Sequence, residues 1–269
     1  MTIINALILG IIQGLTEFLP VSSSGHLNVF PWIFGWDIPE SFDVALHFGT
    51  LLAICIFFFK DWINLIKGGF RKVVKKEDST DGKIFWYLVL GTIPAGILSL
   101  ILDKLSETLI GDNLNLEMGL IAVALIVMGI ILYIVDKKAE AKTNYENISF
   151  KQSLIVACSQ AFAAAFPGVS RSGITMTIAR ALKIDRESAA KFSFLLSTPI
   201  VAAAVLVDIA EFTFTLPFIM GILASFISGL LVIKFLMDFL KKGSFKIFAI
   251  YRIIFGLLIF GIIIFRTFI

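Results

Sequence analysis

Apolar residues fill six stretches of the chain, and each stretch is long enough to form a membrane-spanning helix. A helix needs about 20 mostly apolar residues to cross a hydrocarbon core about 30 Å thick. The pattern therefore predicts an all-α polytopic membrane protein. The predicted spans are residues 43–60, 84–103, 116–135, 190–208, 216–238 and 247–266.

Two further apolar segments, residues 3–34 and 152–178, are interrupted in the middle by proline and by a run of serine and glycine. Such residues break a helix. Broken backbone at membrane depth is tolerated only where it is buried in protein or lines a wet cavity. We predict a re-entrant helical hairpin in each segment, followed in each case by three spans.

The two broken segments share one polar pattern. Gln13 precedes Pro20 by seven positions, and Gln160 precedes Pro167 by seven. The sequence VSSSG follows the first proline, and GVSRSG, one residue longer, follows the second. The similarity predicts an internal repeat whose two polar motifs face each other.

Three spans per unit is an odd number, so two such units would enter the membrane in opposite senses. We predict one membrane domain, 1–269, made of inverted-topology repeats 1–140 and 150–269, with the site at their interface near the bilayer midplane. Basic residues cluster in the other connections, which indicates the cytoplasmic side. The connections 104–115 and 209–215 carry mainly acids, so we expect them outside, together with both chain termini.

Composition agrees with this class and excludes others. The chain is 58% hydrophobic and 16% charged, with a mean hydropathy of +0.94, outside the range of soluble domains. The net charge of +3 is small and its bases lie in connections, so it indicates topology and no nucleic-acid partner. The most basic connection, from Lys60 to Lys83, is predicted to be a cytoplasmic loop, and the bases of its part 71–83 also suit contact with anionic lipid of the bilayer.

The first broken segment carries an acid, three serines and a histidine. On a helix, Gln13 and Glu17 share one face, and an intramembrane glutamate is costly unless it faces a cavity or a partner. The serines at 22–24 are suited to capping the next helix, and His26 follows them closely. Carboxylate, imidazole and hydroxyl groups together are the ingredients of base-activated nucleophilic catalysis.

The second broken segment supplies a fixed positive charge. Arg171 lies in a hydroxyl-rich loop, and its planar guanidinium suits bidentate binding of phosphate. The backbone amides at a helix start near Gly173 favour anions too. The alternative is a structural pair between Arg171 and Glu17. His47 and Asp43 are interpreted as a hydrogen-bonded packing residue and an interface residue, respectively.

At these two motifs the chain resembles a known family. The stretches QGLTEFLPVSSSGH and PGVSRSGIT are similar to the signature motifs of the undecaprenyl-diphosphate phosphatase family, the bacitracin-resistance type of membrane lipid phosphatase. The resemblance extends over the whole chain in length and hydropathy. It implies hydrolysis of a C55 polyprenyl diphosphate to the monophosphate and inorganic phosphate. That reaction recycles the lipid carrier for peptidoglycan synthesis in the bacterial cell membrane.

The resemblance also implies a site near the outer face and a divalent cation, Mg²⁺ or Ca²⁺. It leaves open whether the chain forms a homo-oligomer.

The resemblance also implies which residues form the site. The catalytic set comprises Glu17, Ser23, His26 and Arg171. The substrate- and phosphate-binding set comprises Gln13, Ser22, Ser24, Ser170, Ser172 and Thr175. Glu17 is the candidate metal ligand, and the glutamine at position 13 removes a second carboxylate that some family members have there.

Our mechanistic hypothesis from the sequence has Ser23 attack the terminal phosphorus while His26 accepts its proton or later activates water. Glu17 orients His26 or holds the cation, and Arg171 neutralises the transferred phosphoryl group. Two alternative mechanisms stay open: His26 acts as the nucleophile, or Glu17 activates a water molecule that attacks directly. A different class, a secondary transporter or flippase of polyprenyl phosphate or another small anion, would use Arg171 for binding but has no need of the acid–base set.

Overall fold

The computed structural model describes residues 1–110, 114–213 and 215–268, which are almost entirely helical. Residues 111–113 and 214, in the two connections predicted to lie outside, and Ile269 are not among the described residues. Two short 3₁₀ segments, Tyr145–Asn147 and Ile209–Glu211, join helices. The described α-helices are α1 Ile3–Phe18, α2 Ser23–Phe34, α3 Glu40–Phe57, α4 Phe59–Val74, α5 Thr80–Ile110, α6 Leu114–Lys138, α7 Phe150–Ser159, α8 Ala161–Ala165, α9 Arg171–Ala181, α10 Arg186–Asp208, α11 Leu216–Leu240 and α12 Lys246–Phe268.

Six described helices are long and apolar enough to cross a membrane: α3, α5, α6, α10, α11 and α12. They correspond one for one to the predicted spans, so the prediction of an all-α polytopic membrane protein is confirmed. The first span begins earlier than predicted, at Glu40, because Pro39 in extended backbone sets the start of α3. It ends at Phe57, where a turn at Phe58 leads into α4.

Both predicted helix breaks are present, and their local geometry is the same. Helix α2 begins after Ser22 and α9 begins after Ser170, and these serines have positive φ angles of 76° and 72°. Each serine hydroxyl accepts the backbone N–H three residues on, at 3.2 Å from Gly25 and 3.0 Å from Gly173. The polar motif is thus repeated in structure. The re-entrant path, the inverted relation and the repeat boundaries stay predictions.

The basic connection after the first span is not a loop throughout, as the sequence analysis predicted. Residues 59–74 form the amphipathic helix α4, which buries Leu65, Gly68 and Gly69. A methyl group on Gly68 would lie 2.6 Å from the Gly82 nitrogen, so glycine allows α4 to pack closely against the start of α5. The bases and exposed apolar side chains of α4 are typical of a helix that lies in the membrane interface.

Arg252 of α12 joins the two helix breaks in the interior. Its side chain is fully buried. It donates hydrogen bonds to the carbonyls of Pro20 at 3.2 Å, Gly168 at 2.8 Å and Val169 at 2.9 Å. The guanidinium therefore donates hydrogen bonds to backbone carbonyls that have no helical N–H partner, because proline and the turns interrupt the helices. The sequence analysis did not single out this residue.

We expect Arg252→Met to destabilise the protein by about 3 kcal/mol or more, because it leaves buried carbonyls of both breaks unpaired. Thermal unfolding in detergent, followed by tryptophan fluorescence, measures the effect. Arg266→Met is the matched control, since that arginine is exposed and bonds the carbonyls of α2 near its end. A melting temperature of Arg252→Met equal to that of the control variant would contradict the bridging role.

Candidate functional site

A cavity of about 350 Å³ lies where the two broken segments meet. Its polar wall comes from both broken segments, α3 and α5, and its apolar wall comes from α3, α8 and α10. The polar lining residues are Glu17, Ser23, Ser24, His47, Ser99, Gln160, Ser170, Arg171 and Ser172. The apolar lining residues are Val44, Ala163, Ala164, Ile200, Val201 and Ala204.

Glu17, near the end of α1, is the centre of the polar wall. Its Oε1 accepts a hydrogen bond from Arg171 of the other break. Its Oε2 accepts from the Ser23 hydroxyl at 2.6 Å and from Gln13 Nε2 at 3.2 Å. His47 Nε2 lies 3.6 Å from the same oxygen. One carboxylate thus contacts a serine hydroxyl, a guanidinium and an imidazole.

Ser23 and Arg171 occupy equivalent positions in the two breaks. Each is the first residue of its helix, directly after the capping serine. Helix N-termini carry partial positive charge and unpaired N–H groups, which favour bound anions. Among the lining residues the charges of Glu17 and Arg171 balance. The helix ends therefore leave the cavity suited to an anionic group.

Three of the predicted phosphate-binding residues line the cavity: Ser24, Ser170 and Ser172. The Ser170 and Ser172 hydroxyls lie 3.2 Å apart, and Ser172 also donates to the Leu19 carbonyl of the first break at 3.1 Å. The two motifs therefore meet directly, as their repeat pattern predicted.

The other three predicted phosphate-binding residues lie behind the lining. Gln13 reaches Glu17 from the buried side of α1. The Ser22 hydroxyl caps α2, and Thr175 donates to the Arg171 carbonyl at 2.8 Å and contacts Ser193 Oγ at 2.6 Å. In the described structure these side chains position the loops, because each of them makes hydrogen bonds to protein atoms.

His26 differs from the sequence-based expectation that it shares a cavity with Glu17. Its Nδ1 donates to the Ser22 carbonyl at 2.6 Å, and its Nε2 accepts from the Tyr251 hydroxyl at 2.7 Å. The ring stacks on Phe255 with a centroid distance of 4.3 Å and is only 2% exposed. These contacts direct the ring toward α12. Its catalytic role stays a prediction.

His47 makes the local hydrogen bond expected of a packing residue, and it also lines the cavity. Its Nδ1 donates to the Asp43 carbonyl at 2.8 Å, as a packing histidine would. This bond fixes the proton on Nδ1 and leaves Nε2 directed at Glu17 and the cavity. Its signal in the sequence was an ionisable side chain inside an apolar span, which is functional by default.

The lining residues provide few ligands for a divalent cation. No group of three or more histidine, cysteine or acidic residues that suits a metal occurs in the described part of the chain. However, the Oε1 atoms of Gln13 and Gln160 are buried without hydrogen-bond partners among the described residues. Amide oxygens and one carboxylate are hard donors, and Mg²⁺ often binds through one or two carboxylates and substrate phosphates. The donor set therefore fits a cation that arrives with a phosphate ligand.

The fold and the site define a class: a multi-pass helical membrane protein whose central cavity combines an acid, a serine and an arginine for an anionic ligand. Residues 6–258 match the family model described as bacitracin resistance protein BacA. The chain belongs to that family.

Close relatives span the whole chain. A protein of Pelotomaculum thermopropionicum named undecaprenyl-diphosphatase is 47% identical over 261 residues, covering 96% of this chain and 95% of the relative. One of Desulforudis audaxviator with the same name is 42% identical over 266 residues, covering 97% and 98%. One of Moorella thermoacetica, also so named, is 41% identical over 266 residues, with the same coverage.

Proposed function

We propose that the chain hydrolyses undecaprenyl diphosphate to undecaprenyl phosphate and inorganic phosphate in the bacterial cell membrane. The reaction recycles the lipid carrier for peptidoglycan synthesis and counters bacitracin. The contact of Ser23 with Glu17, itself paired with Arg171, carries the proposal, because it places a nucleophile, a base and a phosphate-binding group in one cavity. The names of the relatives support the same substrate.

The chemistry begins at Ser23. Its hydroxyl donates to Glu17 Oε2, so this carboxylate is the base that accepts the proton as Oγ attacks the terminal phosphorus. The bond from that phosphorus to the bridging oxygen breaks, and the lipid monophosphate leaves. Water then attacks the phosphoserine, which releases inorganic phosphate and restores Ser23.

Arg171 and the two helix starts stabilise the negative charge of the transferred group. In the described structure Arg171 pairs with Glu17, and a phosphoryl group beside Ser23 lies within the reach of the same guanidinium. Donors held in place before the reaction stabilise the transition state without reorganisation. The apolar wall formed by Val44, Ile200 and Val201 accepts the first isoprene units.

His47 exchanges protons with the reacting groups. Its Nε2 is near Glu17 and open to the cavity, whereas both nitrogens of His26 have partners within the protein. We therefore assign proton transfer after the attack to His47. This assignment differs from the sequence-based hypothesis.

Replacing each histidine in turn separates the two roles. We expect His47→Ala to lower kcat about 100-fold, the usual contribution of a general acid–base group, with an unchanged melting temperature. We expect His26→Ala to lower the melting temperature, because it removes a buried stacked ring and two hydrogen bonds. Steady-state kinetics and thermal unfolding of both variants provide the check. Normal turnover in His47→Ala would refute its role.

A divalent cation is part of the proposal. Glu17, with the amide oxygen of Gln160 on the same lining, would hold it together with phosphate oxygens of the substrate. When bound, Mg²⁺ or Ca²⁺ supplies charge neutralisation of the diphosphate.

The site is proposed to open toward the outer face, with both termini on that side, because basic connections indicate the opposite side. Replacing Ser24 by cysteine and labelling intact vesicles from one side tests this orientation. Reaction only with an impermeant reagent applied to the cytoplasmic side would contradict it.

Phosphate release by the purified protein in detergent tests the function. No transmembrane gradient exists there, so a carrier has nothing to transport. We expect metal-dependent release of inorganic phosphate from undecaprenyl diphosphate. Absence of release by folded protein would favour the transporter alternative, which the acid–serine contact and the family do not favour.

A further inference from the structure

Gln160 lines the same cavity, and the N–H groups of its side-chain amide have no assigned role. It lies at the junction of α7 and α8 and is only 3% exposed. Both polar atoms of its amide, Oε1 and Nε2, are buried without a hydrogen-bond partner among the described residues. An unpaired buried amide costs free energy, so its presence requires a reason.

The local backbone does not supply that reason. The Gln160 N–H donates to the Ala157 carbonyl at 3.3 Å, and its carbonyl accepts from Ala163 at 3.0 Å. Neither bond uses the side chain. Its neighbours on the same wall, Ala163 and Ala164, are alanines, so this part of the wall offers the amide no polar side chain. The amide is therefore retained for a partner that enters the cavity.

The corresponding glutamine of the first break shows why this amide is free. Gln13 lies four residues before Glu17, and its Nε2 donates to that carboxylate. Four residues after Gln160 the chain has Ala164 instead of an acid. The donor that is committed to the carboxylate in the first break thus has no acceptor in the second. An external acceptor is needed.

We propose that Gln160 is a phosphate-binding residue whose amide N–H groups bind a nonbridging oxygen of the diphosphate. The inference rests on the proposed function and identifies a ligand contact in its site. The lining residues include one guanidinium, already paired with Glu17, whereas a diphosphate brings several anionic oxygens. Two further N–H donors from the second break meet that demand. The diphosphate then lies between Ser23 on one wall and Gln160 on the other.

The test is Gln160→Leu, which keeps the volume and removes both polar groups. With undecaprenyl diphosphate at fixed Mg²⁺, we expect KM to rise about tenfold or more while kcat changes less, since a ground-state contact is lost. The dissociation constant of inorganic pyrophosphate, measured by calorimetry without turnover and without a divalent cation, should rise in proportion. The melting temperature should be unchanged or higher, because an unpaired buried amide is removed.

Ser159→Ala is the matched control. Ser159 is adjacent and buried, but its hydroxyl already donates to the Val156 carbonyl at 2.7 Å, so KM and pyrophosphate binding should stay as in the parent. Gln160→Glu, which places a carboxylate toward the phosphates, should weaken pyrophosphate binding more than leucine does.

Two outcomes overturn the inference: pyrophosphate binding in Gln160→Leu within twofold of the parent, or no pyrophosphate binding by the parent. If Gln160→Leu does not fold, pyrophosphate binding by Gln160→Glu decides instead, and binding within twofold of the parent overturns the inference. Failure of the parent to release phosphate, by contrast, refutes the proposed function.

Discussion

Ser23→Ala is expected to lower kcat for phosphate release by about 10³-fold or more, with little change in the melting temperature. This hydroxyl donates a hydrogen bond to the Glu17 base at 2.6 Å, and removal of a nucleophile from a catalytic unit has effects of this size. The backbone at position 23 is ordinary helix, and Ser22 provides the cap, so alanine should fold normally. Single-turnover release of phosphate from labelled undecaprenyl diphosphate measures the loss.

Ser24→Ala is the matched comparison for this variant. Ser24 is the next residue on the same helix and lines the cavity, and its hydroxyl contacts Ser22 at 3.3 Å but makes no contact with Glu17 in the described structure. We expect its loss to be at least tenfold smaller. Trapping the phosphorylated enzyme and mapping the label should identify Ser23. Label on His26, or full turnover of Ser23→Ala, would favour the other two mechanisms.

The helices and the meeting of the motifs could be predicted because both are encoded locally. Runs of apolar residues long enough to cross a bilayer define the spans. Pro20 and Pro167 remove backbone donors inside apolar segments, so a break is required near each. The contact of Glu17 with Arg171, which the sequence analysis gave as the structural alternative, has the same basis as any buried charge in a membrane, which requires a partner.

The roles of the two histidines could not be predicted from proximity along the chain. His26 is three residues from Ser23 and lies near the same face of α2, but its hydrogen bonds to the Ser22 carbonyl and the Tyr251 hydroxyl direct its ring toward α12. His47 is 30 residues from Glu17 in sequence, and only the packing of α3 against α1 brings it within 3.6 Å. The partners that each ring finds in the folded chain matter more than distance along the chain.

Helix α4 was missed for a related reason. Its charges suggested a loop, because lysines and arginines dominate the composition from Lys60 onward. Their spacing, with apolar residues between them, instead forms an amphipathic helix. In a membrane protein, a charged segment can be regular structure that lies at the interface.

The two breaks show how one local structure supports two chemical roles. The first residue of each helix lines the cavity: Ser23 in one break and Arg171 in the other. Arg252 fixes both loops to the same helix, so their relative placement does not depend on the ligand. Preorganised donors of this kind are the main source of electrostatic stabilisation in enzymes.

Arg171→Lys is expected to lower kcat/KM by about 100-fold or more, although the positive charge is retained. The guanidinium is a planar fork that pairs with Glu17 and can bind two phosphoryl oxygens at once, whereas an ammonium group is a point charge with a different reach. The loss should appear with the lipid substrate at saturating Mg²⁺. Arg186→Lys is the control, because that half-buried arginine binds Asp136 through Nε at 2.8 Å far from the cavity lining. Turnover of Arg171→Lys close to that of Arg186→Lys would exclude bidentate binding and leave Arg171 as a structural partner of Glu17.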